Sequence, residues 1–498
     1  MKYLDVVYSV QKEIFTLRNI LGLLGWDLQT YMPKDSAKDR AEQIALISKR
    51  IHEKMISEEL KKSLAELVKP ENLKKLNEKD RKVVERLDKD VKKMAKLPIE
   101  FVEELSRVTS LAHKAWEEAK EKSDFSIFQP HLEKIVELKK KQASYFGLPG
   151  HPYNSLIDEF EEGMTTQVLA DKFSKLKEVL VELLKEIEKS KSYNSEKIIK
   201  SKFPIESQKM ISKDIIKLIS LPSSKSRLDE SVHPFTTEMG SDDVRITTRY
   251  EEENPLFSFS STVHEAGHAL YQLGLPKEYK DTVVYGGASM GLHESQSRFW
   301  ENMIARNLIF WEYYFKAFKK NFEELHDVSL EDWYRQVNIV RPSLIRIKAD
   351  EVTYCLHIIL RFEIEKGLIE GSIEVKNLPK IWNEKMKELL GVEPKNDSEG
   401  VLQDVHWSQG AFGYFPSYAL GTIYSVQLFE KLSEEHPEIK EQIRNGDFSF
   451  IIEWLRKNVH NYGRSMNAED IIKKVCGEGL NIDVYSQYLR KKYLEIYK

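Results

Sequence analysis

The chain predicts a mainly helical fold with one small sheet near its middle, and three observations carry that reading. Glycine (22) and proline (16) are scarce in 498 residues, which argues against a loop-rich or all-β chain. Several long stretches carry apolar residues at three- and four-residue steps with charged residues between them. Only one short segment alternates apolar and polar side chains with the two-residue period of a strand.

Taken in order, the helical pattern covers residues 36–66, 75–122, 166–191 and 298–322. In KDRAEQIALISKRIHEKM, for example, Ala41, Ile44, Ile47 and Ile51 fall on one face. Such faces are core-packing faces, and no chemistry is assigned to them. FSIFQP (125–130) and LPGHPY (148–153) read as breaks between helices, punctuated by Pro and Gly. The polar run at 185–203 reads as a solvated face or loop. Asp243-Val244-Arg245-Ile246-Thr247-Thr248-Arg249-Tyr250 is the strand, entered through the turn-like Gly240-Ser241-Asp242, and it could pair with an extended substrate as an added edge strand. Nothing looks like a linker or a repeat, so residues 1–498 read as a single domain although roughly 150 residues per domain is the usual prior.

Composition excludes several function classes. A net charge of −4 with 31% charged residues is mixed rather than polarised, so no nucleic-acid or membrane-surface partner is expected. The two cysteines, Cys355 and Cys476, provide neither a disulfide framework nor a cysteine metal site. The first residues, MKYLDVVYSVQKEIFTL, lack the apolar core of a signal peptide, and no run of about 18 apolar residues could span a bilayer. A cytoplasmic, soluble chain is the expectation, and the abundance of Lys, Glu and Ile hints at a thermophilic source.

The chemistry concentrates directly after the strand, in SFSSTVHEAGHALYQLG. His264 and His268 stand four residues apart, one helical turn, with both imidazoles on one face. Glu265 lies beside the first. This H-E-x-x-H spacing suits two neutral nitrogen ligands and a glutamate that takes the proton of the attacking water. A chance match in an unrelated helix is the plain alternative. Against it, the flanks Phe257, Phe259, Val263, Ala266, Ala269 and Leu270 suit a buried helix, where two unpartnered histidines would be costly. A catalytic site needs a third protein ligand and one open position. Tyr271 and Gly274 occupy the places of the Gly and His that would extend the pattern to a third histidine. The third ligand is then a residue of GLHESQSRFWENMIARN. Glu294, Glu301 and His293 are the candidates, and spacing alone does not choose among them.

Read together, the motifs resemble the thermostable carboxypeptidase family of the carboxypeptidase Taq type, over nearly the whole chain. Trp26-Asp27 with Thr30 and Met32-Pro33, then Arg40 to Gln43, look like its opening block; Tyr153, Leu156, Asp158 and Glu161 to Thr165 look like another. His233-Pro234-Phe235 matches HPF, Asp243 to Thr247 matches DxRxT, and His264 to His268 supplies HExxH. His293-Glu294-Ser295 matches HES, Ile345 to Asp350 matches IRxxAD, and Gly413 to Pro416 matches GYxP. The resemblance implies Glu294 as third ligand beside His264 and His268. It also implies a nearly all-helical, saddle-like domain with a deep groove, assembled as a homodimer and removing single residues from peptide C-termini with broad specificity. Zinc is the expected metal, with cobalt as an alternative.

Peptide hydrolysis assigns further expected roles. Glu265 is the general base and later the proton donor to the leaving amine. Tyr414 and His233 are candidate donors to the oxyanion; their plain alternatives are a packed aromatic in a Gly/Pro turn and a structural histidine before proline. Arg346, with Arg245 second, is the candidate binder of the substrate's free carboxylate, which suits a bidentate fork. His406 lines the groove or packs beneath it, and Asp350 is a structural partner or supports a ligating histidine. The nearest rival functions are an HExxH oligoendopeptidase and a dipeptidyl carboxypeptidase using the same ligands. A catalytically silent peptide-binding scaffold is a further rival, against which Glu265 is intact.

Overall fold

The computed structural model describes residues 2–194 and 199–498. The expected helical stretches are helical, with breaks where capping chemistry places them. Residues 36–66 form two helices, Ala37–Met55 and Glu58–Leu67, separated at Ser57, whose side chain accepts the Leu60 N–H. Residues 75–122 likewise form Glu78–Met94 and Ile99–Lys122, parted before Pro98. Thr166–Glu188 is capped by Thr165. The polar run beyond it holds a short turn of helix, Lys191–Asn194, and part of it, 195–198, lies outside the described residues.

One expected break is displaced. FSIFQP is not a boundary but the opening of the helix Phe125–Phe146, with Pro130 inside it. The true break lies just before, where Ser123 adopts a left-handed conformation (φ 53°) and Asp124 accepts the Ser126 N–H. Pro130 forfeits one i→i−4 bond, and burial of Phe128, Leu132 and Ile135 on one face offsets it. The second break, LPGHPY, stands: the helix ends at Gly147 (φ 62°).

The sheet has three strands, β1 (Ser226–Glu230), β2 (Thr236–Gly240) and β3 (Asp243–Thr248), in the order β1-β3-β2. β3 runs parallel to β1 and antiparallel to β2. It is therefore paired on both sides, which removes the expectation that it could take substrate as an added edge strand. Val244 and Ile246 of β3 are fully buried, and the sheet packs on the helix Pro255–Gly274. On its other side β2 meets the first helix, Lys2–Gln29, at Gly22, where a Cβ would stand 2.4 Å from the Glu238 carbonyl oxygen. A single cluster of buried apolar side chains runs from Val7 to Tyr497. No helix among the described residues is long and apolar enough to cross a membrane.

Three helices frame the middle of the molecule: Pro255–Gly274, Met290–Arg298 and Phe415–Glu435. The short central one is pressed between the other two at glycines. A Cβ on Gly267 would lie 2.7 Å from the Gln296 carbonyl oxygen, and one on Gly421 would lie 2.5 Å from the Glu294 Cβ. This close approach determines where the side chains of the central helix can point.

Candidate active site

His264 and His268 project from one face of the helix Pro255–Gly274 toward Glu294. The Glu294 Oε2 stands 3.7 Å from His264 Nε2 and 3.6 Å from His268 Nε2, and the three ligand atoms lie within 4.8 Å of one another. Ligands about 2.0–2.1 Å from a tetrahedral zinc would stand about 3.3–3.4 Å apart, so the set fits a divalent metal with one position left open.

The atoms not aimed at that point are all engaged. His264 Nδ1 lies 2.8 Å from Glu301 Oε2, and His268 Nδ1 lies 2.6 Å from His293 Nδ1. With Nε2 turned to a metal, each Nδ1–H is a donor, to a carboxylate in one case and to a neutral imidazole in the other. Burial pushes His293 down to about 3, with the neighbouring His268 adding to the effect. Arg298 spans the two acids, its Nε 2.7 Å from Glu294 Oε1 and its Nη1 3.1 Å from Glu301 Oε2. Burial alone would raise both carboxyls, but Arg298 and the imidazoles overcome it, holding Glu294 well below the usual range and Glu301 at about 2. Of the three candidates for third ligand, Glu294 alone faces both Nε2 atoms; Glu301 and His293 sit behind the imidazoles. Glu301 lies in a π-helical stretch, Phe299–Ala305, a rare geometry that gathers at functional sites.

Glu265 is buried and borders the same cavity, which holds about 700 Å³. Thr236 of β2 donates its hydroxyl to Glu265 Oε2 at 2.6 Å, fixing the carboxylate beside the metal position. His233 and Tyr414 also line the cavity. Burial, with the charges of Arg249 and Lys120, lowers the His233 pKa, so the imidazole is neutral at neutral pH. Burial first and the Glu294 charge second push the Tyr414 phenol up to about 12, keeping it a protonated donor.

Arg346 is buried in the cavity wall. Asp404 takes one edge of its fork, with Nε at 3.0 Å and Nη2 at 2.9 Å, while among the described residues Nη1 has the Tyr354 hydroxyl alone, at 3.4 Å. Arg361 braces Asp404 from behind at 2.7 Å. Arg245 lies elsewhere: it bonds Asp243 and stacks over Trp26 at 4.4 Å, and it is not among the residues lining the cavity. His406 does not line it either; its Nε2 lies 3.1 Å from the Tyr418 hydroxyl. Burial pushes His406 down to about 3, Asp404 opposing and the two arginines adding. Asp350 accepts the N–H groups of Arg341, Val352 and Thr353 and the Thr353 hydroxyl, so it shapes the loop that carries Arg346 and touches neither histidine. Sequence reasoning missed Thr236, Arg298 and Asp404. Arg298 left a trace, standing four residues after Glu294 and three before Glu301, and Asp404 left a fainter one, as the residue two before His406.

A helical groove with a His-His-Glu cluster and a glutamate beside it is the equipment of a metallopeptidase. The family model described as carboxypeptidase Taq (M32) metallopeptidase matches residues 7–493, and the chain belongs to this family. Carboxypeptidase 1 of Bacillus subtilis is 40% identical over 99% of both chains, and thermostable carboxypeptidase 1 of Pyrococcus furiosus is 40% identical over 98% of both. A solved structure of Pyrococcus furiosus carboxypeptidase superposes with a TM-score of 0.95 at 38% identity, covering 99% of each chain. The protein is thus a metal-dependent peptide hydrolase of the carboxypeptidase kind.

The two helices beside the cluster are joined through Glu161, which accepts the Gly291 N–H and the Ser417 hydroxyl. Burial pushes its carboxyl from 4.5 up to about 7, its donors opposing. The folded state therefore holds a proton there that the unfolded chain releases at lower pH. This contribution to stability is full below about 4.5 and is lost as pH rises through about 7. Glu161→Gln should flatten that part of the stability profile, measured as the fall in Tm between pH 5 and pH 7.5; an unchanged fall would mean that Glu161 is ionised throughout.

Proposed function

We propose that this chain is a zinc carboxypeptidase that removes single residues from the free C-termini of peptides with broad specificity. The observation that carries this reading is one cavity that gathers His264, His268, Glu294, Glu265 and an arginine whose outer edge is largely unengaged. His264, His268 and Glu294 would hold the metal, which would supply a Lewis acid for the scissile carbonyl and lower the pKa of a water. Glu265, oriented by Thr236, takes the proton of the attacking water and passes it to the departing amine. Tyr414 and His233 donate to the oxyanion as the carbonyl carbon becomes tetrahedral. Arg346, held by Asp404, presents Nη1 to the terminal carboxylate. His406 supports Tyr418 from beneath the wall. Val337, Ile347, Lys348 and Phe257 mix apolar and charged surface along the groove, which imposes no single side-chain chemistry on the substrate. By family resemblance the working form is a cytoplasmic homodimer.

The test is mass spectrometry of one peptide incubated with the metal-loaded protein, once with a free and once with an amidated C-terminus. Stepwise loss of single residues from the free peptide only, abolished by a chelator, is expected. Internal cleavage of both would indicate an endopeptidase, and release of dipeptides a dipeptidyl carboxypeptidase. In the same assay Arg346→Ala should narrow the gap between the two peptides, and an unchanged gap would place the carboxylate binder elsewhere. Glu265→Gln should keep its metal and lose turnover by about 10²–10⁴-fold; near wild-type kcat would remove Glu265 from the role of base.

A further inference from the structure

Glu365 lies within the helix Tyr354–Glu370 and is fully buried. Three donors from two distant parts of the chain, residues 407–413 and Tyr153, converge on its carboxylate. They are the Gly413 N–H at 2.8 Å, the Trp407 indole N–H at 2.9 Å and the Tyr153 hydroxyl. Burial pushes the carboxyl up to about 7, the donors opposing. An acid in such a place costs stability that a leucine of similar volume would not, so packing does not account for it.

What the carboxylate holds is the turn at Gly413. That residue has φ 94°, and a Cβ there would lie 2.5 Å from the Leu156 carbonyl oxygen. The turn is thus pressed onto the segment that contains Tyr153, and its N–H is tied to Glu365. Tyr414 follows directly. Its ring sits between Phe160 and Tyr418, with centroids 5.1 Å from each, and borders the cavity. Glu365, Trp407 and Tyr153 do not border it.

We propose that Glu365 is a positioning residue for Tyr414: by holding the Gly413 turn it places the phenol hydroxyl for the oxyanion without touching substrate. This rests on the reading of Tyr414 as an oxyanion donor, and the experiment separates the two.

Wild type, Tyr414→Phe, Glu365→Gln and the double variant are compared for kcat, KM, metal content and Tm. Tyr414→Phe should lower kcat about 100-fold, the cost of one oxyanion donor. In Glu365→Gln, where an amide N–H must face one of the three donors, kcat should fall about tenfold with KM and metal content unchanged. In the Tyr414→Phe background the same change should cost less than about twofold, because residues acting through one group are not additive. An equal loss in both backgrounds, or a loss that follows metal content or Tm, overturns the role of Glu365 alone. An unaltered kcat in Tyr414→Phe overturns the donor reading and this inference with it. If Glu365→Gln does not fold, Trp407→Phe removes one anchor while keeping the carboxylate. Its few-fold loss of kcat should likewise vanish in the Tyr414→Phe background, and persistence there overturns the proposal.

Discussion

The rest of the site depends on Arg298 lying between two buried carboxylates. Glu294 and Glu301 are both withdrawn from water, and removing one partner of such a buried charge costs about 3–5 kcal/mol. Arg298 answers both acids at once and stacks on Tyr354 at 4.2 Å. Because it engages Glu294 through Oε1, the other oxygen is left to face the histidines. Because it also engages Glu301, that carboxylate is held where His264 Nδ1 meets it. The geometry of the cluster follows from charge compensation as much as from the helix that carries it.

Around that centre the fold divides the labour. The helix Pro255–Gly274 contributes His264, Glu265 and His268, strand β2 contributes Thr236, and the connection between β1 and β2 contributes His233. The helix Phe415–Glu435, entered through Tyr414, supplies the opposite wall. Glycines 267 and 421 let the central helix approach both neighbours without a Cβ between them, so a small displacement of either wall would be felt by Glu294. Arg346 is treated similarly: Asp404 and Arg361 hold it rigidly, which suits a residue meant to meet a carboxylate in a fixed place.

Helix content was legible from periodicity, and β3 from its alternation. β1 and β2 were not, because SRLDE and TTEMG carry no apolar alternation and owe their strand form to pairing with β3. The boundary at FSIFQP was misplaced because Pro130 outweighed the cap at Asp124 in a reading that sees no burial. His264 and His268 were legible because their spacing is local. The choice among Glu294, Glu301 and His293 was not, since all three share one segment and only packing decides which face meets the histidines. Thr236 and Asp404 act through contacts across the fold, to Glu265 and Arg346; Arg298 pairs within its own segment, with Glu294 and Glu301 at four- and three-residue steps, a spacing common to ordinary helical ion pairs. Arg245 stands in the DxRxT motif yet bonds Asp243 and stacks on Trp26 outside the cavity lining, and His406 packs on Tyr418 behind it.

The most direct test is anomalous diffraction at the zinc edge from crystals of the protein soaked in zinc. One strong peak is expected about 2.0–2.2 Å from His264 Nε2, His268 Nε2 and a Glu294 carboxylate oxygen, with Glu301 remaining on His264 Nδ1. A peak coordinated by Glu301 or His293 in place of Glu294, or no peak at this cluster in well-ordered crystals, would contradict it.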